Sequence, residues 1–529
     1  MVFVLLIVII DKNVEAAIDK GHTRVYNIYN SKKEREYMVN DLQFCTPEQA
    51  GISSKAILKF IKKVEEWKVN LHSFMFVKKG RILTEGYYAP FHAETPHRLY
   101  SSSKTYVSLA VGKLIGEGKI ALTDRLVDLF PEYIDREQHK WMQECTVEDA
   151  LKMAVPMWTD TYYDRVYKEW AWTFFNRQEA LKPAGTLFWY NTSASFILDV
   201  LVEKLTGKTF LEYLRPEFEK IGVSKDIWCV KSPDGFAWGG SGVVSTLRDY
   251  AKVGELLMYK GEYKGEQLLP REYMERATSK QIDNIYENHY SIRATKGYGY
   301  QVWMTDCGFS MYGMGSQYAF CFPEKEFMFV CQGDTQCGSD PCGDWLYMWV
   351  KELYEELSDT PLPADDKAYG ALTEKLSALQ LPIIGETHSA YEKEVNGVEY
   401  RLAPNSMGWT YFRLDFNGDE GVLTYENARG EKKIPFTLGG YTQGNFPETD
   451  YYDKQVDTPS NREMECMASA GWTEEKKLLL RVYITDTSLG NCFFTFGFKG
   501  DEVGVSLFKR AEFFMDGYAG YAGGKRAEK

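Results

Sequence analysis

Ser101 and Lys104 stand three positions apart in the tetrapeptide Ser-Ser-Ser-Lys, ahead of a segment with helical periodicity. Apolar residues recur three, four and seven positions after Val107, which predicts a helix that buries one face. Residues i and i+3 share a helix face, so the lysine amine would lie beside the serine hydroxyl. A serine is a weak nucleophile, and a neutral buried amine can accept its proton, while the helix N-terminus can stabilise an oxyanion. The pattern predicts Ser101 as a covalent nucleophile and Lys104 as its base.

The tetrapeptide alone is a weak signal, because it arises readily by chance. A second copy spans Ser506–Lys509, where apolar residues alternate and predict a strand. We interpret that copy as structural. Ser101 could likewise be only a helix-capping serine, but the helical pattern that begins there favours the chemical interpretation.

Several other segments are needed to position these two residues. Two apolar runs joined by Lys-Lys-Gly predict a hairpin over residues 72–88. A second helix is predicted after Asn191 and ends at Gly207. His92 and His97 precede the nucleophile, where we expect a surface loop.

The segment Arg98–Lys119 resembles the serine-lysine region of class C β-lactamases and their relatives, which include family VIII esterases, D-amino-acid peptidases and 6-aminohexanoate-dimer hydrolases. The resemblance covers roughly residues 46 to 355. It continues through Ile120–Pro131, Gly185–Ser193, Gly239–Lys252, Gly299–Trp303, Tyr312–Gln317 and Phe322–Lys325. It implies an α+β fold in which an antiparallel sheet is flanked by helices and joined by an all-helical subdomain, the β-lactamase/transpeptidase-like architecture.

The resemblance also assigns roles at the site. Tyr190 would share protons with Ser101 and Lys104 and help to protonate the leaving group; a packing role is the alternative. The family's Tyr-x-Asn box is altered here, so that Asn191 and Thr192 are both candidates for its substrate-binding position.

A cationic side chain is missing from the third family box, where Gly313-Met314-Gly315 stands. That cation is expected to hold the carboxylate of β-lactams and peptides, so its absence argues against an efficient β-lactamase. The glycines Gly313 and Gly315 suit a strand that approaches substrate closely. The N–H of Ser316 is our candidate to complete an oxyanion hole with that of Ser101.

Aromatic residues are dense between the first two boxes, and Trp158 and Trp189 are the candidates for substrate contact. They predict either an apolar wall beside Ser101 or the core of the helical subdomain. The other members of the cluster are Tyr162, Tyr163, Trp170 and Trp172.

Composition limits the partners. The net charge of −13 and the lack of a basic run argue against nucleic acid or an anionic membrane surface. None of the seven histidines has a metal-binding spacing, and no metal or cofactor is expected. The ten cysteines are scattered, which favours free thiols in a reducing compartment. The apolar run Val2–Ile10 is too short to span a membrane and lacks the flanks of a signal peptide, so a cytoplasmic location is expected.

Four regions are predicted along the 529 residues: an N-terminal extension (1–45), a serine hydrolase domain (46–358), a linker with one short helix (359–395) and an all-β barrel-like domain (396–529). The last region resembles the lipocalin-like tail of many bacterial family members, through Tyr400–Asn405 and Gly408–Phe416. The leading hypothesis is hydrolysis of a small ester or amide through a Ser101 acyl-enzyme, close to the 6-aminohexanoate-dimer hydrolase and esterase branches. A non-catalytic ligand-binding relative and a true β-lactamase or D,D-peptidase are the alternatives. The oligomeric state is left open.

Overall fold

The computed structural model describes residues 43–161, 169–177, 179–284, 296–336, 342–448, 464–486, 490–511 and 519–528. The run Val2–Ile10, the tyrosines Tyr162 and Tyr163, and Cys337 lie outside these ranges. Within them, no helix is both long enough and apolar enough to cross a membrane.

A seven-stranded sheet forms the centre of the first domain. Its strands, in spatial order, are β1 (Gln43–Phe44), β3 (Arg81–Tyr87), β2 (Leu71–Lys78), β12 (Phe327–Gly333), β11 (Gln317–Phe322), β10 (Gly308–Gly313) and β9 (Trp303–Thr305). All neighbouring pairs are antiparallel except β1 and β3. The hairpin predicted over residues 72–88 is confirmed as β2–β3, with Lys79 and Gly80 at positive φ in its turn.

Helices cover both faces of this sheet. Successive residues of β2 alternate between two cores, with Phe74 and Phe76 in one and Met75 and Val77 in the other, because strand side chains alternate across a sheet. The first core packs against α1 (Ser54–Glu66) and α12 (Cys342–Glu356), and the second against α2 (Ser103–Gly116), α10 (Leu247–Met258) and α11 (Arg271–Ala277). The predicted β-lactamase/transpeptidase-like fold is therefore confirmed.

The helical subdomain lies beyond α2. Its helices are α3 (Leu126–Leu129), α4 (Lys140–Gln143), α5 (Val147–Leu151), α6 (Trp170–Asn176), α7 (Thr192–Thr206), α8 (Phe210–Tyr213) and α9 (Arg215–Lys220). A small sheet of β4 (His97–Arg98), β6 (Val243–Ser245) and β5 (Trp228–Cys229) and the pair β7 (Glu262–Tyr263) and β8 (Glu266–Gln267) complete this part. The α2 helix differs from the one-faced helix that its spacing predicts, since 11 of its 14 residues are buried between the sheet and the subdomain.

His97 corrects the expectation of a surface loop before the nucleophile. It is buried in β4, with its Nε2 atom 2.7 Å from Nδ1 of His72, and His72 stacks on Phe91. Burial lowers the pKa of His97 to about 4 and that of His72 well below its usual value. His92 is exposed, as expected. The pairing partner of His97 lies 25 residues earlier in the chain, in another strand, so local sequence carries no sign of it.

The second domain is a closed β-barrel, as predicted. Its strands are β13 (Glu399–Leu402), β14 (Tyr411–Asn417), β15 (Glu420–Asn427), β16 (Gly430–Leu438), β17 (Thr442–Phe446), β18 (Met464–Glu474), β19 (Lys477–Ile484), β20 (Gly490–Lys499), β21 (Glu502–Ala511) and β22 (Gly520–Arg526). A parallel pairing of β16 with β18 closes a ring of nine strands, and β17 pairs with the first half of β18 outside that ring. Buried aromatic rings from opposite sides, such as Phe412 and Phe496, fill the interior. The second Ser-x-x-Lys copy lies in β21, as its alternation predicts.

The segment between the domains packs on the first one. Its helix α13 (Asp366–Ser377) lies against α1, where Lys375 pairs with Glu65 and Lys55 with Asp365. A short helix, α14 (Glu392–Val395), precedes the barrel.

Candidate active site

A strained turn carries the predicted nucleophile. Residues Tyr100–Ser102 form a single 3₁₀ turn that leads into α2, and Tyr100 adopts a left-handed conformation with φ of +46°. Such a conformation costs a non-glycine residue about 1–3 kcal/mol and persists only where the surroundings impose it. Here the Arg98 guanidinium lies 4.6 Å from the centre of the Tyr100 ring, and Gln336 donates a hydrogen bond of 2.9 Å to its hydroxyl.

The three consecutive serines have different environments. Ser102 is fully buried and its hydroxyl lies 2.7 Å from that of Tyr250. Ser103 is also fully buried and accepts a hydrogen bond from the Val243 N–H at 2.9 Å. Ser101 is partly exposed. Of the three hydroxyls, that of Ser101 is therefore the one a substrate could reach.

Lys104 lies directly behind Ser101. Its Nζ atom is 3.0 Å from Ser101 Oγ and donates to the Gly240 carbonyl at 2.6 Å. The side chain is 1% exposed, and this burial lowers its pKa to about 7. Asp160 acts in the opposite direction and raises the pKa, whereas Arg98 lowers it. A substantial fraction of Lys104 is thus neutral near pH 7, as a proton acceptor must be.

Tyr190 faces the same amine. The centre of its ring lies 5.0 Å from Lys104 Nζ, and the ring stacks on Trp303 with centres 5.2 Å apart. The structure thus brings Ser101, Lys104 and Tyr190 into one cluster.

Asn191 and Thr192 lie at the start of α7, where both side chains make contacts within the protein. Asn191 is fully buried; its Oδ1 accepts from the Ala194 N–H at 3.0 Å and its Nδ2 donates to the Thr159 carbonyl at 3.0 Å. The bond from Ala194 caps the helix, which explains why an asparagine stands there. Thr192 is also buried, and its methyl group packs against the backbone of Gly240.

The third family box forms the turn between β10 and β11. A Cβ atom on Gly313 would lie 2.1 Å from the carbonyl oxygen of Leu99, so only glycine allows this turn to approach the segment before Ser101. Gly315 and Ser316 follow at φ of +80° and +76°. Ser316 is fully buried and its hydroxyl lies 2.7 Å from that of Thr335, whereas Met314 is 40% exposed.

The aromatic cluster divides into two parts. Trp158 and Trp189 stack with ring centres 3.6 Å apart, and the Trp189 indole N–H donates to the Trp158 carbonyl. Trp158 is 52% exposed, so this pair forms a surface next to Tyr190. Trp170, in contrast, is buried against Phe196 in the subdomain core. Trp170 therefore belongs to the subdomain core, whereas the Trp158–Trp189 pair stays our candidate for an apolar wall beside Ser101.

Several residues around the cluster were not identified from sequence as site residues. Gly240 binds the lysine, Arg98 and Gln336 hold Tyr100, and Trp303 supports Tyr190. Gly240 and Trp303 lie in segments singled out for the resemblance, but Gln336 has no local signal. Within the described ranges, no cluster of three or more histidine, cysteine or acidic side chains could hold a metal ion.

Comparison with known proteins identifies the family. Residues 71–332 match the family model Beta-lactamase, so this domain is β-lactamase-related. The 6-aminohexanoate-dimer hydrolase of Paenarthrobacter ureafaciens is 24% identical over 218 residues, which cover 38% of this chain and 56% of that protein. The chain thus spans just over half the length of this curated relative.

Two solved structures are also similar to the chain. The octameric penicillin-binding protein homologue from Pyrococcus abyssi is 16% identical with a TM-score of 0.45, over 89% of this chain and 99% of that one. A penicillin-binding protein homologue from Caulobacter crescentus is 17% identical with a TM-score of 0.48, over 60% of this chain and 100% of that one.

Proposed function

We propose that this protein is a serine hydrolase that cleaves small esters or amides through an acyl-enzyme on Ser101. The observation that carries the proposal is the distance of 3.0 Å between the partly exposed Ser101 hydroxyl and the buried Lys104 amine, whose pKa is lowered to about 7. Together these give a nucleophile and a base that is available at neutral pH.

Each step can be assigned to a group in the cluster. Lys104 takes the proton of Ser101 as Oγ bonds to the substrate carbonyl carbon, and the carbonyl electrons move onto its oxygen. When that intermediate collapses, the bond to the leaving group breaks and Tyr190 relays the proton to it. Water then cleaves the acyl-enzyme, which releases the acid and restores the serine hydroxyl.

The developing oxyanion needs two N–H donors. The N–H of Ser101 lies in the 3₁₀ turn that leads into α2, and the N–H of Ser316 remains our candidate for the second. The close approach of Gly313 to Leu99 supports a donor from this turn, because it brings the turn against the segment that holds the nucleophile.

The surroundings favour neutral, apolar substrates. Gly313-Met314-Gly315 stands where the resemblance implies a box with a cation, and the exposed face of the Trp158–Trp189 pair offers apolar surface. Such a site binds an acyl chain or an ω-amino-acid amide better than a carboxylate-bearing β-lactam. We therefore expect p-nitrophenyl butyrate to be hydrolysed much faster than nitrocefin.

Turnover of p-nitrophenyl butyrate by three proteins tests the proposal. The wild type should be active, Ser101→Ala should be inactive, and Ser103→Ala, which removes a neighbouring hydroxyl that bonds only to the fold, should keep its activity where folded. Equal rates for wild type and Ser101→Ala would refute the proposal. A folded wild type without activity on esters, amides or nitrocefin would favour the non-catalytic binder, and preferred turnover of nitrocefin would favour the β-lactamase alternative.

A further inference from the structure

The barrel contacts the first domain through strands β19 and β20. Tyr483 of β19 is buried within the core of the first domain, in an edge-to-face arrangement with His72. On β20, Asn491 is 1% exposed and its Nδ2 atom donates to the Asp334 carboxylate. Arg481 donates to Asn491 Oδ1 at 2.9 Å, so the barrel itself orients this asparagine.

Asp334 belongs to the segment that follows β12. We refer to residues 334–336 of this segment as the strut. The main chain of Asp334 is held by Asn70, through hydrogen bonds of 3.0 Å from the Asp334 N–H and 2.9 Å to its carbonyl. Asp334 thus contacts the barrel through its carboxylate and the first domain through its backbone. All three residues of the strut are buried.

The other two residues of the strut bind the two strained parts of the site. Thr335 donates from its N–H to the Gly315 carbonyl at 3.2 Å, and its hydroxyl lies 2.7 Å from that of Ser316. Gln336 donates to the hydroxyl of Tyr100, the residue before the nucleophile. Because Tyr100 and Ser316 both have positive φ, they depend on such contacts to keep their conformation.

We propose that Asn491 of the barrel is a positioning residue for the Ser101 site, acting through Asp334 and the strut. The barrel holds the strut. The strut in turn fixes the position of the nucleophile turn relative to the turn of Gly315 and Ser316. This role rests on the proposed function, since it concerns the rate at which Ser101 is acylated. A positional error of about 1 Å at a reacting group can lower a rate about 100-fold. A single hydrogen bond that holds the strut can therefore affect the acylation rate of Ser101, although Asn491 does not touch the substrate.

The test compares Asn491→Ala with Asn427→Ala in the full-length protein. Asn427 is the matched control, because it also donates to a carboxylate, that of Glu448 at 2.8 Å, but within the barrel. We expect Asn491→Ala to lower the fluorophosphonate labelling rate and kcat about 10- to 100-fold with KM within about twofold, and Asn427→Ala to match the wild type. Equal rates for the two folded variants would overturn the proposal.

An exchange variant covers the case in which Asn491→Ala fails to fold. Asp334→Asn combined with Asn491→Asp restores one donor facing one acceptor across the same interface, and it should return the labelling rate to within about threefold of the wild type. The single Asn491→Asp variant sets two carboxylates against each other and should be slow. A folded exchange variant as slow as Asn491→Asp would overturn the proposal. Failure of the proposed function has a different signature, namely no labelling of the wild type or labelling of Ser101→Ala.

Discussion

Replacing Lys104 by methionine should remove most of the acylation of Ser101, because the amine is lost while an unbranched side chain of similar length remains. Burial lowers the pKa of this lysine from 10.5 to about 7. At pH 8 the amine is then about 90% neutral, against about 0.3% for an ordinary lysine, so burial raises the supply of neutral base about 300-fold. Loss of a general base typically costs about 10²–10⁴-fold. We expect Lys104→Met to acylate at least about 100-fold more slowly at pH 8.

The assay is the burst of p-nitrophenol in a single turnover, followed from pH 5 to pH 9. The wild-type rate should rise with pH and level off above about 7, because only the deprotonated lysine accepts the serine proton. Lys104→Arg keeps a cation that does not deprotonate in this range and should be as slow as Lys104→Met. Lys113→Met is the matched control, since Lys113 lies on the same helix and pairs with Glu217 instead. A Lys104→Arg rate within about 10-fold of the wild type would refute the base role.

Three further predictions concern the surroundings of the cluster. Gly313→Ala should lower the acylation rate at least about 10-fold, since its methyl group would lie 2.1 Å from a backbone oxygen. Asp160→Asn should shift the pH–rate profile towards lower pH, because the Asp160 carboxylate raises the pKa of Lys104. Burial lowers the pKa of His97 to about 4, whereas the histidine of the unfolded chain keeps its usual pKa and takes up a proton at higher pH. As the pH falls from 6.5 to 4, His97 should therefore lower the free energy of unfolding by about 3 kcal/mol. Chemical denaturation of wild type and His97→Phe across this range measures that loss, which should be smaller in the variant by this amount, because buried His72, whose pKa is also lowered, keeps its own contribution.

Each of these predictions has a contradicting result. Gly504 has no atom within 4 Å of an added Cβ, so Gly504→Ala is the control, and equal acylation by the two alanine variants would refute the steric argument. An unchanged pH–rate profile in Asp160→Asn would show that this carboxylate does not affect the pKa of Lys104. The same loss of stability at low pH in wild type and His97→Phe would assign the acid sensitivity to other groups.

The sequence predicted the features that depend on local periodicity. The three-residue spacing of Ser101 and Lys104 predicted that their side chains lie together, although Ser101 stands in the 3₁₀ turn before α2 and not on the helix itself. Alternation predicted both the hairpin and the barrel strands. The stacked pair Trp158 and Trp189 was recognised as part of a cluster, but periodicity could not separate it from the core residue Trp170.

The features that the sequence did not predict depend on contacts between distant segments. Asn491 and Asp334 are 157 positions apart, and Gln336 and Tyr100 are 236 apart, so no local pattern links either pair. Asn191 illustrates a different difficulty, because an asparagine beside a family tyrosine fits both a substrate contact and a helix cap. Its buried position and its bond to Ala194 identify it as the cap.

The central claim is that Ser101, among three adjacent serines, is the nucleophile that Lys104 activates. Labelling with a fluorophosphonate followed by trypsin digestion tests it directly, because cleavage after Arg98 and Lys104 releases the peptide Leu99–Lys104 with all three serines. Fragmentation should place one adduct on Ser101, formed at a rate that rises with pH to a plateau above about 7. An adduct on Ser102, Ser103 or another peptide, or none on the folded protein, would contradict the claim.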